Sequence, residues 1–544
     1  MKSILSGKSI LIVEDYAAMR KAIRDMLHTL EADKLSEADN GANALTVMGK
    51  NSFDIVLCDY NLGAGKNGQQ VLEEARYRKL IGSQCIFIII TAEQTASMVL
   101  GAMDSKPDEY LTKPFNAQQL YSRIERNLLR KHYLHGVESE IERGNLLQAI
   151  QNCDRLLRQD DKKMRSQLLK LRAELANSVG DFETARRIYV DVLQERELPW
   201  ARLGLGVVDF QQGRPEAAIE TFEALLSDNP RFLEAYDWLS KAYETQDNLS
   251  DAQNILHQAV DLSPQAILRQ KKLAETADRI GNLDVAEKAY KAAVSLGKNS
   301  IHKSCSDYTN LAKLYGKKNA AVDALKTLQQ MRQEYVNSPE AELRASTLEA
   351  ELHKTIGNEE LSQQALEKAL SLNQQLAGRI PKELQLDVVR TCFLHDEREQ
   401  AEAMLEGLIK NHVDDEQFLN DLRRMQSGLG MDNYSEVLIQ STKRELIAIN
   451  NKGVALYNQG KFKDAMDLFE RAIAAMPNNK TIIMNMLKLM VHDLKTTQVS
   501  ADKLKQVQGL MKKAKQIGVD AHKIGVLQME LSKLVRNSAN EAQA

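Results

Sequence analysis

Cysteine, proline and aromatic residues are all scarce in this 544-residue chain, and each scarcity closes off a class of protein. The five cysteines (Cys58, Cys85, Cys153, Cys305, Cys392) are odd in number, form no CxxC pair and have no histidine at metal-ligand spacing. That argues against a disulfide framework and a structural zinc site, and reduced, buried thiols are expected. With 9 prolines and 5% aromatics there is little to break helices and little of what strands prefer, so helix should dominate. No stretch approaches the roughly 18 uncharged apolar residues of a membrane helix. Met1 to Lys8 lead into a short apolar run rather than a secretory leader, so we expect a cytoplasmic protein with no membrane insertion. The 72 Lys+Arg against 75 Asp+Glu leave a net charge of −3, which offers no broad basic face, and no nucleic-acid partner is expected. A P-loop, a nucleophile elbow, a helix-turn-helix with a basic recognition helix and a cyclic-nucleotide enzyme signature are also missing, so the chain does not read as a classical enzyme.

What is present changes character near residue 130. Before it lie three continuous apolar runs, Ser9 to Val13, Asp54 to Cys58 and Cys85 to Ile90, and a weaker strand, Glu109 to Leu111. Unbroken apolar runs suit parallel strands covered on both faces, and the amphipathic stretches between them predict a doubly wound α/β sheet. In such sheets chemistry gathers at the carboxyl ends of the strands. Glu14 and Asp15 follow the first run, Asp59 the second, Thr91 the third, and Lys113 the weak strand. Three carboxylates in one crevice repel unless a cation joins them, and all-oxygen ligation favours a hard ion such as Mg²⁺. With that ion and the Lys113 ammonium neutralising charge, Asp59 can act as a nucleophile toward a phosphoryl group, and Thr91 can donate its hydroxyl to a phosphoryl oxygen.

These residues, with Thr91-Ala92 and Lys113-Pro114-Phe115, resemble a bacterial response-regulator receiver domain of the chemotaxis-regulator type over residues 1–130. The resemblance implies a five-stranded parallel sheet, Asp59 as phosphoacceptor, and Mg²⁺ held by Glu14, Asp15, Asp59 and the backbone carbonyl of Asn61. It further implies Thr91 and Tyr110 as switch residues and a cis Lys113–Pro114 bond. One departure stands out: the loop after the acceptor reads DYNLGAGKNG, with Gly63 where the family usually has Pro and Gly68 one residue late, which implies a longer, more flexible loop.

From about residue 134 a repeat takes over. A turn residue followed five places later by a small one recurs at Gly144, Gly180/Ala185, Gly213/Ala218, Asp247/Ala252, Gly281/Ala286, Asn319, Gly357, Asp396 and Gly460/Ala465. The steps are 36, 33, 34, 34, 38, 38, 39 and 64. A large apolar residue comes nine after the turn, as in Tyr189, Phe222 and Phe469, a small one seven before it, as in Gly206, and Pro230, Pro264 or Pro477 seventeen after. A period near 34 with this pattern resembles the tetratricopeptide repeat. It implies an all-α superhelical solenoid over residues 131–535, clearest in 165–300 and 445–480, with a flexible tail at 536–544. The longer steps predict longer helices, and the 64-residue step a divergent or missing unit between Glu397 and Ser441. Three helical stretches follow Pro477. Met484, Met486 and Met490 fit core at helical spacing, with a partner groove as the alternative; His492-Asp493 is read as a solvated face, and Trp200 and Trp238 as packing residues.

Together the halves read as a phosphorylation-dependent response regulator. The receiver takes phosphate from a histidine kinase, its only chemistry being Mg²⁺-dependent phosphorylation and dephosphorylation, and the repeats dock an unidentified partner protein or a second copy as a homodimer. The alternative is a phosphate sink or scaffold in a phosphorelay, whose repeats hold the kinase.

Overall fold

The continuous apolar runs become strands in the computed structural model, which describes residues 3–92, 101, 104–159, 162–376, 379–496, 501–520, 523–528, 530–531 and 534. The strands are β1 (Ser9–Val13), β2 (Lys34–Ala38), β3 (Ile55–Asp59), β4 (Ile86–Thr91) and β5 (Glu109–Thr112), all parallel in the order β2-β1-β3-β4-β5. Side chains alternate between the sheet's faces. Leu11, Val13, Val56, Cys58, Phe87 and Ile89 form one core, and Ile10, Ile12, Ile55, Leu57, Ile88 and Ile90 the other. Every residue of β3 and β4 is buried, which is why those runs are apolar without interruption. β2 pairs only with β1 at the sheet edge, and its half-exposed KLSEA carries no apolar run.

The helix that closes the sheet begins at a capping box made by Asn116 and Gln119. It continues without a break from Ala117 to Glu142. Its first half places Leu120 and Ile124 in a sheet core, and its second half packs Leu134 and Val137 against Ala149, Cys153 and Leu168 of the following helices. One helix therefore serves as the last element of the sheet domain and the first of the helical array.

The array is built of antiparallel helix pairs, such as Pro199–Gln211 with Pro215–Asp228 and Leu233–Thr245 with Leu249–Leu262. All nine turn residues found in the sequence have left-handed backbone: the six glycines at φ between 73 and 80°, and Asp247, Asn319 and Asp396 at 56, 57 and 61°. Asp and Asn are the side chains that best tolerate that region. Ala149, Ala185, Ala218, Ala252, Ala286, Ala324, Ser362, Ala401 and Ala465, five places on, are all fully buried. The small residue before the turn makes room for the large one after it: a Cβ on Gly206 would lie 2.5 Å from the Phe222 ring, and one on Gly453 2.4 Å from that of Phe469.

Longer helices account for only part of the lengthened period. The 17-residue helices Pro339–Thr355 and Glu359–Gln375 explain the later steps, but the first 38-residue step comes mainly from the loop 298–304 between Leu283–Gly297 and Cys305–Lys317. The unit between Glu397 and Ser441 is divergent. Its turn is Gly430, φ 68°, with buried Ser435 and Ile439 at the expected offsets. Its second helix runs straight into the next unit as one 23-residue helix, Glu436–Asn458.

The chain forms two compact units, Met1–Leu314 and Tyr315–Ala544. In the second, Met484, Met486 and Met490 are buried in the core. His492 and Asp493 do not form a solvated face. The imidazole packs on Tyr457, ring centroids 4.7 Å apart, and on Phe462, while Asp493 pairs with Lys503 at 2.7 Å, so the pair stabilises a helix packing. Of the three stretches after Pro477, Lys480–Thr496 and Ala501–Gln516 are helices, the third lies partly outside the described residues, and the 536–544 tail lies wholly outside them. All five cysteines are buried, and none is in a disulfide. Among the described residues no helix is long and apolar enough to cross a membrane.

Candidate functional site

Because all five strands run the same way, the residues that follow them share one edge of the sheet. Glu14 and Asp15 leave β1, Asp59 ends β3, Thr91 ends β4, and Lys113 follows β5. The edge is held by backbone bonds between neighbours: Glu14 N–H to the Ala38 carbonyl at 3.1 Å, Tyr60 N–H to Ile90 at 2.7 Å, and Lys113 N–H to Thr91 at 2.7 Å. The Lys113–Pro114 peptide is cis.

These bonds bring charged groups from three strand ends into contact. Lys113 Nζ lies 2.8 Å from Asp59 Oδ1 and 2.9 Å from Glu14 Oε2. Oxygens of Glu14, Asp15 and Asp59 all lie within 4.8 Å of one another. Glu14 and Asp59 are buried and Asp15 is exposed, so the cluster opens toward solvent on the Asp15 side. Burial pushes the carboxyls of Asp59 and Glu14 above their ordinary range, against the opposing pull of Lys113. The ammonium is drawn down by burial, but its bonds to Asp59 and Glu14 outweigh that and raise it overall. Three carboxylates face one ammonium, leaving uncompensated negative charge in a partly dry crevice. A hard divalent cation with oxygen ligands fits this donor set, and Asp15 offers it a solvent-facing entrance.

The loop after Asp59 wraps over the cluster. The Asn61 N–H donates to the Asp59 carboxylate. Gly63 (φ 70°) sits against Asp15, where an added Cβ would lie 3.3 Å from Oδ2. Gly68 opens the next helix with its α-carbon against the Asp59 carbonyl; a Cβ there would lie 2.3 Å from that oxygen, so only glycine fits. Thr91 is buried at the end of β4, and Tyr110 packs half-buried on the core that holds Cys58 and Ile89. Sequence reasoning missed Arg20, whose Nη1 donates to the Glu14 carbonyl at 2.6 Å and fixes the acidic pair. A lone arginine on an amphipathic helix carries no signal for that role.

The repeat positions named from the sequence are not gathered into a site. Ala185, Ala218, Ala252, Ala286 and Ala465 are helix contacts, one per unit, while Gly180, Gly213, Gly281 and Gly460 are turns. Pro230 and Pro264 follow second helices, and their carbonyls accept from Tyr236 and Gln270, each at 3.0 Å. Pro477 similarly follows Phe462–Ala475. Trp200 and Trp238 make edge-on ring contacts with Tyr189 and Phe210.

Comparison with known proteins agrees with this arrangement. Residues 10–125 match the response regulator receiver domain. Chemotaxis protein CheY-3 of Vibrio cholerae serotype O1 is 31% identical over 127 residues, 23% of this chain and 96% of that protein. The chain belongs to the response regulator receiver family. Chemotaxis protein CheY of Pseudomonas aeruginosa is 32% identical to the receiver over 117 residues, 22% of this chain and 93% of its own length. Beyond the receiver, residues 176–242, 343–376 and 447–479 match tetratricopeptide repeats. A solved tetratricopeptide repeat protein from Parabacteroides merdae aligns with 48% of this chain and 98% of its own at 16% identity, with a TM-score of 0.30. Receiver and repeats together place the chain in two-component response regulation with a protein-binding array.

Proposed function

We propose that the receiver accepts a phosphoryl group on Asp59 from a histidine kinase and that the repeats, residues 131–535, dock a partner protein according to the state of residues 1–130. The observation that carries this reading is the contact of Lys113 with both Asp59 and Glu14, beside Asp15, at the carboxyl edge of the sheet. Glu14, Asp15, Asp59 and the Asn61 carbonyl would hold Mg²⁺, which when bound supplies charge neutralisation for the transferred oxygens. Lys113 pulls against the burial that raises the Asp59 carboxyl and offers its ammonium to the incoming phosphoryl oxygens. An Asp59 oxygen attacks phosphorus, the P–N bond to the donor imidazole breaks, and the imidazole leaves with the electron pair and takes a proton from solvent. The Thr91 hydroxyl donates to a phosphoryl oxygen, and Thr91 and Tyr110 carry the change to the surface. The protein works in the cytoplasm and has no other catalytic activity.

The test is incubation with Mg²⁺ and a small phosphodonor. One acid-stable, base-labile acyl phosphate should form on the native chain and none on Asp59→Asn; equal labelling of both would remove Asp59 as acceptor. A pull-down with the phosphorylated chain then separates regulator from phosphate sink, since a sink captures the kinase itself and a regulator captures something downstream.

A further inference from the structure

The loop 298–304 breaks the repeat's rhythm, adding most of the extra length of the step from Gly281 to Asn319. It also bonds to the loop that follows Asp59, as no other interhelix loop of the first unit does among the described hydrogen bonds. The Asn299 carbonyl accepts from Lys66 Nζ at 2.7 Å, and the Asn299 side-chain amide donates to the Gly65 carbonyl at 2.9 Å. Lys66 and Gly65 belong to the glycine-rich loop that leaves Asp59, bonds to it through Asn61 and lies against Asp15 through Gly63. A loop with two left-handed glycines, Gly63 and Gly65, has little intrinsic preference for one shape and is ordered by what grips it.

A second anchor holds the receiver on the same repeats. The buried guanidinium of Arg269 takes Asp104 on one edge, at 2.6 and 3.1 Å, and Asp237 on the other, at 2.7 and 2.7 Å. The Ser263 hydroxyl also donates to Asp104, at 2.9 Å, and two residues on Lys106 pairs with Glu234 at 2.5 Å. With the receiver pinned there, the lengthened loop can reach the Asp59 loop.

We propose that Asn299 is a positioning residue of the receiver's acidic site: by holding the Gly65 carbonyl it orders the Asn61–Lys66 loop, so that the cation site and the repeats' hold on the receiver strengthen each other. The inference rests on the carboxylate cluster as a cation site but not on phosphoryl transfer. Coupling of this kind is reciprocal, so whatever loosens the array's grip weakens cation binding by the same factor by which the cation tightens the grip.

Mn²⁺ titration of the full chain, read by water-proton relaxation, measures the site without any transfer chemistry. Asn299→Ala removes one exposed hydrogen bond and leaves the backbone contact with Lys66, so the protein should fold normally while its dissociation constant for Mn²⁺ rises about threefold or more. Asn299→Gln, which keeps the amide, should recover most of the loss. Asp104→Asn should weaken binding in the same direction by loosening the second anchor. In the native chain, amide hydrogen exchange of residues 298–304 should slow when Mg²⁺ is added. Unchanged Mn²⁺ affinity in Asn299→Ala, or loss in Asn299→Gln equal to that in Asn299→Ala, overturns the proposal. If the native chain binds Mn²⁺ with these dependences yet forms no acyl phosphate, the phosphoacceptor reading fails and the positioning role stands.

Discussion

The receiver and the repeats use sequence in opposite ways. In the receiver, residues far apart along the chain meet: Glu14 and Lys113, 99 positions apart, are in hydrogen-bond contact. In the repeats, equivalent residues recur about every 34 positions and never converge, because each contacts only its own and neighbouring helices. The receiver spends its distinctive residues on one crevice, at the expense of burying charge. The array spends them on steric fit, a small side chain opposite a large one, repeated. Damage to the first should therefore abolish an activity and leave folding largely intact, and damage to the second should do the reverse.

The largest expected effect breaks the comparison on the receiver side: Asp59→Asn loses all acyl phosphate, while its thermal unfolding stays within a few degrees of native by calorimetry. Next, Phe222→Ala empties a fully buried ring site and should lower local stability by about 3–5 kcal/mol. Urea unfolding followed by tryptophan fluorescence reads it directly, since Trp200 and Trp238 both sit in that region of the array, and phosphorylation in dilute buffer should persist. A smaller pair sharpens what a repeat glycine is for. Gly206→Ala forces a methyl into Phe222 and should destabilise by about 1–3 kcal/mol. Gly281→Ala meets open space but keeps φ at 80°, and should lose about 1 kcal/mol to backbone strain alone.

The smallest effect is electrostatic and belongs to the second unit. Arg332, bonded to Glu349 and Glu342, and Lys368 hold the Glu342 carboxyl down at about 2. Its folded value lies below the unfolded one, so its stabilisation is full above about pH 4.5 and is lost as pH falls toward 2. Glu342→Gln should remove that slope from acid-unfolding curves, by on the order of 1 kcal/mol because the group is partly exposed.

How far each region could be read follows from the same contrast. Three of five strands were legible because burial on both faces demands unbroken apolar runs, and β5 only as a weaker strand ahead of Lys113; β2 was not, since an edge strand can be written as KLSEA. The charged and hydroxyl groups of the site were legible because strand ends fix where they must meet. The grip of Arg20 and of Asn299 was not, since neither bond has a sequence period or a fixed spacing. In the array, the turn at Gly430 was hidden by Arg423, where most other units carry a small residue seven places before the turn, and by a following helix that runs on into the next unit. Ser435 and Ile439 at the usual offsets were the signal available.

The unbroken helix from Ala117 to Glu142 sets a rule for anyone recombining such proteins. Because the receiver's core and the first repeat are both attached to one rigid rod, the length of that rod fixes their mutual azimuth. Each residue inserted or removed between Ile124 and Leu134 turns one domain about the axis by about 100° and shifts it by about 1.5 Å. A chimera that exchanges receivers across this point keeps the original facing only when its junction preserves helical phase, as an insertion of seven residues nearly does. Here the junction works as a keyed shaft, and phase rather than linker length decides whether a foreign receiver meets the repeats with the right side.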